Sequence, residues 1–264
     1  MSRKFFVNLA IILIVVGIVG SLFTFDFETE AVTKEETFAS TDINQIDVNS
    51  DNVKVDVLQT EGSEIKVEFT GKQSKQNNKK FKTSVDGDTL RIDLNDKRWN
   101  LFDFDFFFTS LALKVYLPEK DYQSLSVESS NGKITAKEVQ VKDVKLETDN
   151  GKVVGENLMT STFHAKTSNG KVALKNVDGT IKADTDNGRI DLTTPDLERS
   201  VDLKTNNGAI IIHSEQEPEN VSFIANTANG SIDIFGKYDG SAVIGNGDHV
   251  VQLKTDNGRI RISH

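Results

Sequence analysis

One dipeptide returns through the second half of the chain at nearly constant spacing. Asn-Gly stands at Asn131-Gly132, Asn150-Gly151, Asn169-Gly170, Asn187-Gly188, Asn207-Gly208, Asn229-Gly230 and Asn257-Gly258, in steps of 19, 19, 18, 20, 22 and 28 residues. A period near 20 marks a repeat architecture, in which each block buries its apolar face against its neighbours. The flanks repeat with the dipeptide. A hydroxyl stands two residues before each Asn (Ser129, Thr148, Thr167, Thr185, Thr205, Thr227, Thr255), and apolar residues stand four and six before it. Three after the Asn is always Ile or Val, and five after is Ala, Gly, Leu or Ile. The positions between are mostly charged or amide. Such alternation on both sides of a turn predicts strand–turn–strand units with one face buried.

Two architectures accommodate this pattern. Asn-Gly between alternating strands is the strongest local cue for a β-hairpin, which would give an antiparallel sheet. The other is an all-β parallel β-solenoid, a single-stranded β-helix with coils of about 20 residues in which Asn-Gly marks a corner. The solenoid is the expectation, because residue identity at each offset repeats from block to block, as stacked columns require. Gly takes positive φ freely and Asn tolerates it, which suits the pair to a corner. Stacked Asn side chains would form an amide ladder.

The chain has no cysteine and only three prolines. The first excludes disulfides, thiolate metal sites, a cysteine nucleophile and a lipoprotein anchor. The second suits a chain largely paired in a sheet. A net charge of −9 argues against a nucleic-acid partner, which needs a basic footprint.

Residues 1–4 are a short basic start, expected in the cytoplasm. The apolar run Phe5 to Phe23 would span roughly 28 Å as a helix, close to the thickness of a bilayer core. With Arg3 and Lys4 retained inside, residues 5–25 are predicted to be a single-pass transmembrane signal-anchor helix with an extracellular C-terminal domain. A cleaved signal peptide competes, but its apolar core is usually only about 7–15 residues and the cleavage site here is poor. No Leu-Pro-x-Thr-Gly sorting motif is present, so anchoring is expected from the N-terminus.

Residues 26–41, with Glu28, Glu30, Glu35 and Glu36, read as an acidic spacer. Residues 42–118 read as an irregular N-terminal β region capping the solenoid, and 119–264 as its regular repeats. Ile46, Val48, Val53, Val55 and Val57 alternate across Ser50-Asp51-Asn52 like a degenerate copy of the later unit. Asp86-Gly87 signals a hairpin. Trp99, Phe102, Phe104, Phe106, Phe107 and Phe108 are a candidate contact: exposed, they would meet lipid or a partner; buried, they would cover the open end of the stack. Lys72, Lys75, Lys79, Lys80 and Lys82 form a basic loop, read as solvated in preference to a contact with anionic lipid or wall polymer.

The segments "SSNGKI", "TDNGKV", "TSNGKV" and "TDNGRI", with "VKVDVLQTEGSEIKVEFTG" after a single N-terminal anchor, resemble the bacterial putative-adhesin β-strand-repeat family, which includes LiaG-like envelope proteins. The resemblance covers roughly residues 40–264. It implies a β-solenoid ectodomain outside the membrane of a Gram-positive-type bacterium, linked to envelope stress and binding or organising envelope components without catalysis. It carries over no catalytic residues.

The residues themselves mark no chemistry. His164, His213, His249 and His264 lack metal-ligand spacing. The Asp-Asn-Gly corners (Asp149, Asp186, Asp256) read as turn chemistry before Ca²⁺ ligation, since Ser130, Ser168, Asn206 and Ala228 fill the same position. Glu147, Asp184 and Asp186 are the candidate carboxylates for the alternative function, a polysaccharide lyase or hydrolase on a β-helix scaffold. No cofactor is expected. Lys133, Lys152, Lys171, Arg189 and Arg259, each two after its Asn, are expected to form one basic strip beside the acidic or polar column that precedes the Asn. Pairing across the corner would make that strip merely soluble; left free, it offers a surface to a linear envelope polymer or a flat partner, while a membrane-protein partner would be met through residues 1–41.

Overall fold

The computed structural model describes residues 29–74, 81–94 and 110–264, and alternation in the sequence becomes strand almost throughout them. The N-terminal strands are β1 (Thr29–Ala39), β2 (Gln45–Ser50), β3 (Lys54–Thr60), β4 (Glu64–Ser74), β5 (Lys82–Asp86), β6 (Thr89–Leu94) and β7 (Ser110–Pro118). The regular blocks supply β8 (Tyr122–Asn131), β9 (Ile134–Lys137), β10 (Val141–Asn150), β11 (Val153–Leu158), β12 (Thr162–Asn169), β13 (Val172–Val177), β14 (Thr180–Asn187), β15 (Ile190–Thr194), β16 (Val201–Asn207) and β17 (Ile210–Ser214). The chain closes with β18 (Val221–Ile234), β19 (Ala242–Ile244) and β20 (His249–Ser263).

Each regular block is one coil of two strands meeting at its Asn-Gly, and neighbouring coils pair in parallel. Val144 lies between Leu125 and Phe163, Leu146 between Val127 and Ala165, and Asn150 between Asn131 and Asn169. On the second face, Val153 lies between Ile134 and Val172, and Ile190 between Val172 and Ile210. The solenoid is therefore realised and the hairpin sheet is not. A slip of one residue would turn every apolar column to solvent, which pins the register.

Those columns are the core. Val127, Leu146, Ala165, Ala183 and Leu203 are fully buried on the first face, as are Ile134, Val153, Val172, Ile190 and Ile210 on the second. Each such Val, Leu or Ile contributes about 1.5–3 kcal/mol by leaving water. Sizes trade between coils: a Cβ on Gly155 would lie 3.2 Å from the Phe163 ring, so the missing side chain makes room for the aromatic one.

The degenerate N-terminal copy is a true coil. Ile46 and Val48 lie beside Leu125 and Val127, and Val55 and Val57 beside Ile134 and Ala136. β6 and β7 stack in parallel on its other side. The Asp86-Gly87 hairpin joins β5 to β6, with Gly87 at φ +62°. Residues 29–39 of the expected acidic spacer instead form β1, antiparallel to β4, which is itself antiparallel to β7. Val32 is buried and Phe38 packs on the core. An edge strand needs only backbone partners and tolerates charge on its open side, so the glutamates do not prevent pairing.

Stack order departs from chain order at the far end. β20 pairs with β16 and β17 on one side and along the whole of β18 on the other. The last coil therefore lies inside the stack and the coil before it lies outside. No helix among the described residues is long and apolar enough to cross a membrane. The anchor expected over residues 5–25 lies outside the described residues, as do Trp99, Phe102, Phe104, Phe106, Phe107 and Phe108.

Candidate interaction surface

The Asn-Gly corner is built by two columns of side-chain hydrogen bonds and a column of closely stacked glycines. The Asn side chains form a continuous ladder: Asn131 Nδ2 donates to Asn52 Oδ1 at 2.8 Å, Asn150 to Asn131 at 2.8 Å, Asn169 to Asn150 at 2.9 Å and Asn187 to Asn169 at 3.0 Å. It continues through Asn207, Asn257 and Asn229, each step 2.9 Å. The hydroxyls two residues earlier turn inward. Thr167 donates to the Gly151 carbonyl at 3.3 Å, Thr185 to Gly170 at 3.3 Å and Thr205 to Gly188 at 3.0 Å. The recurring Ser or Thr thus satisfies a carbonyl that the turn leaves free at a buried position.

Glycine is required for a reason other than the one expected. Gly132, Gly151, Gly170, Gly188, Gly230 and Gly258 do not take positive φ. A Cβ on Gly151 would fall 1.9 Å from the Gly132 oxygen, and one on Gly170 or Gly188 1.7 Å from the glycine oxygen below. Close approach of stacked backbones excludes a side chain. Positive φ occurs at the opposite corner, at Glu138 (57°), Asn157 (52°) and Asn176 (51°), each seven residues after its corner Asn. There Asn176 donates to Asn157 at 3.1 Å, a second amide step that sequence reading missed. Its only signal was Asn at the same offset in two adjacent blocks.

The basic strip runs along the second face. In stack order it is Lys54, Lys133, Lys152, Lys171, Arg189 and, past Ala209, Arg259. The cross-corner pairing expected with the column before the Asn does not form among the described residues, because the corner sends the two columns to different faces. Lys171 and Arg189 both pair with Asp191, and Lys54 pairs with Asp56. Burial pushes the Asp191 carboxyl up, but hydrogen bonds from Arg189 and Lys171 outweigh it and hold the group below its ordinary value. Lys133, Lys152 and Arg259 carry no ion pair among the described residues. Neighbouring strands lie about 4.8 Å apart, so these cations repeat well within one Debye length.

The first face is mixed in charge. Glu147 lies beside Lys166, which lies beside Asp184, so a cation separates two of the three candidate carboxylates. Lys145 is held above its ordinary value by hydrogen bonds to Glu128 and then Glu147, and Asp186 accepts from Asn206 at 3.1 Å. A polar groove of about 220 Å³ runs over Asp51, Glu128, Glu147, Asp149 and Lys166. The histidines stay apart: His164 faces Asp184 at 3.6 Å, His249 faces Glu198 at 3.5 Å, His213 meets Ser263 and His264 lies against Phe235. Lys120, between β7 and β8, donates to the Ser40 and Ile43 carbonyls at 2.7 and 2.8 Å, fastening the end of β1 to the stack. Of the basic loop, Lys72 and Lys82 lie on β4 and β5, and the rest is outside the described residues.

A repeat of parallel coils with an inward Thr, an Asn ladder and a stacked Gly at every corner defines a β-repeat protein of the solenoid class. The chain belongs to the Toastrack DUF4097 family, whose model matches residues 43–178 and again 132–263. The two overlapping matches span the stack from the β2–β3 coil to β20. Among solved structures, a putative cell adhesion protein from Clostridium sporogenes is 14% identical over 89% of this chain and 99% of its own, with a TM-score of 0.41. A putative adhesin from Bacteroides fragilis is 13% identical over 88% and 97%, with a TM-score of 0.48, and one from Parabacteroides distasonis is 12% identical over 88% and 97%, with a TM-score of 0.39. No curated protein matches the sequence.

Proposed function

We propose that this chain is a non-enzymatic, adhesin-like rod held outside the cell by residues 5–25, and that it binds a linear polyanion of the cell envelope along the basic strip of its second face. The observation that carries this reading is the in-register column in which Lys133, Lys152 and Arg259 have no ion pair among the described residues while Lys171 and Arg189 share one carboxylate. Like charges facing each other across paired strands destabilise the sheet. A chain acidic overall nevertheless keeps them aligned. A phosphate-bearing linear polymer would relieve that repulsion rung by rung, whereas a compact ligand would meet only one or two of the cations. Paired strands in register carry the strip, so the spacing of its backbone positions is set before the polymer arrives.

The test is binding of the full chain, purified in detergent, to inorganic polyphosphate of defined length by titration calorimetry at low and moderate salt. Binding should weaken as salt rises and fall at least tenfold in K133Q/K152Q/R259Q, with the far-UV spectrum unchanged. Equal affinity for the triple variant would refute the assignment of the surface.

A further inference from the structure

The two ends of the stack are finished differently. At the N-terminal end the outermost strands are antiparallel additions bearing charge: β1 carries Glu30, Lys34, Glu35 and Glu36, and β5 carries Lys82 and Asp86. At the other end the outermost coil is β18. Its inner edge pairs with β20 from Val221 to Ile234, but its outer edge meets β19 only from Val221 to Phe223. The Ser241 hydroxyl accepts from the Ala225 amide at 3.1 Å, and Ile234 bridges to Tyr238. From Asn226 to Asp233 no strand covers the outer edge among the described residues.

The residues of this edge also break the repeat. Ala228 stands where Asp149, Asp186 and Asp256 precede their Asn, and Ser231 stands where Lys133, Lys152, Lys171, Arg189 and Arg259 follow it. Ala228, Asn229, Gly230 and Ser231 are exposed, and Ile232 is only partly covered although its counterparts in the other regular coils are buried. Open edges are ordinarily blunted by charge, proline or a bulge. From Asn226 to Ile232 there is no charged residue and no proline. Asn229 and Thr227 donate inward to Asn257 and Gly258. The Asn229 Oδ1 and the Gly230 carbonyl are thus the acceptors that each inner coil offers to the next one. Four of the six large apolar side chains exposed among the described residues, Ile224, Tyr238, Val243 and Val250, lie on β18, β19, β20 or the loops joining them.

We propose that this edge joins two copies of the chain end to end, the Asn226–Asp233 edges pairing antiparallel about a two-fold axis. The opposite end offers no match, since its outermost strands, β1 and β5, carry charge, so head-to-tail growth is disfavoured. The edge is uncharged up to its last residue, Asp233, which antiparallel pairing sets opposite Asn226 of the copy, so no like charges face each other, and a two-fold axis closes the assembly at two. Eight residues a side fall below the roughly 20–30 of a standard interface, so association should depend on concentration. The inference stands apart from the polyanion reading, which concerns a different face.

Sedimentation velocity of the full chain in detergent tests it. The natural chain should pass from monomer to dimer as concentration rises. A228D/S231K, which installs side chains that other coils already carry, should stay monomeric over the same range with an unchanged melting temperature. Because the chain has no cysteine, single-cysteine variants report geometry directly. S231C should crosslink to itself through a short bis-maleimide, and V85C at the other end should not. A monomer at every concentration, a double variant that still dimerises, or crosslinks between S231C and V85C in a mixture would each overturn the proposal.

Discussion

Thr255 donates its hydroxyl to the Gly208 carbonyl at 3.0 Å across 47 residues of chain, whereas Thr227, nearer to Gly208 in sequence, donates to Gly258. The final coil is therefore laid down between two coils made before it. Until residues 249–263 arrive, β18 has no parallel neighbour on either edge, and a strand outside a sheet is not stable. Ending the chain after Asp248 should abolish amide protection of residues 221–244 in hydrogen exchange. Protection of the inner strands from β8 to β15 should persist, because each coil contacts only its neighbours. Retained protection over 221–234 would mean that β18 docks on β16 without the intervening coil.

Gly170 and Gly240 separate the two reasons for glycine. A Cβ on Gly170 would lie 1.7 Å from the Gly151 oxygen, a backbone atom held on both sides by the stack. Nothing lies within 4 Å of a Cβ on Gly240. Gly170→Ala should cost more than about 4 kcal/mol or prevent folding, a loss reserved for severe packing defects. Gly240→Ala should fall within about 0.5 kcal/mol of the natural chain. Urea unfolding midpoints compare the two.

The hydroxyl column can be measured with one nearly isosteric change. Thr205 is buried and donates to Gly188 at 3.0 Å. Thr205→Val keeps the shape and removes the donor, leaving the carbonyl one partner short. The expected loss is about 1–2 kcal/mol, or a fall in melting temperature of some 2–8 °C for a chain of this size. An unchanged melting temperature would show that the carbonyl finds another donor.

Fixed offsets made the columns legible in the sequence. Leu146 and Val127 share a face with Leu203 because each stands four residues before its Asn, and that distance is enough. The order of the last two coils was not legible, because Val201, Leu203 and Thr205 match Val251, Leu253 and Thr255 as well as they match Phe223, Ala225 and Thr227. Interchangeable columns say that two coils fit but not which lies inside; the connection over 235–248 decides it. β1 escaped notice because only Val32 and Phe38 turn inward among many charges. The basic strip was placed correctly, but its counter-charge was sought across the corner at the residue before each Asn. It is found at Asp191, two residues along the same strand face as Arg189.

Asp191 links the chemistry of that strip to its stability. In the folded chain its carboxyl titrates below the ordinary value of 3.8. The ion pairs with Lys171 and Arg189 therefore stabilise fully above that value, and their contribution drains away as pH falls through the lower folded value. Asp191→Asn should be less stable than the natural chain at neutral pH, and the difference should vanish once the solution is acid enough to protonate the natural carboxylate. The same substitution frees Lys171 and Arg189, so at neutral pH it should tighten polyphosphate binding and steepen its salt dependence. Denaturant midpoints at several pH values check the ion pair, and calorimetric titration checks the surface. Lost stability with unchanged affinity would leave Asp191 a structural partner and remove the two central rungs from the binding strip.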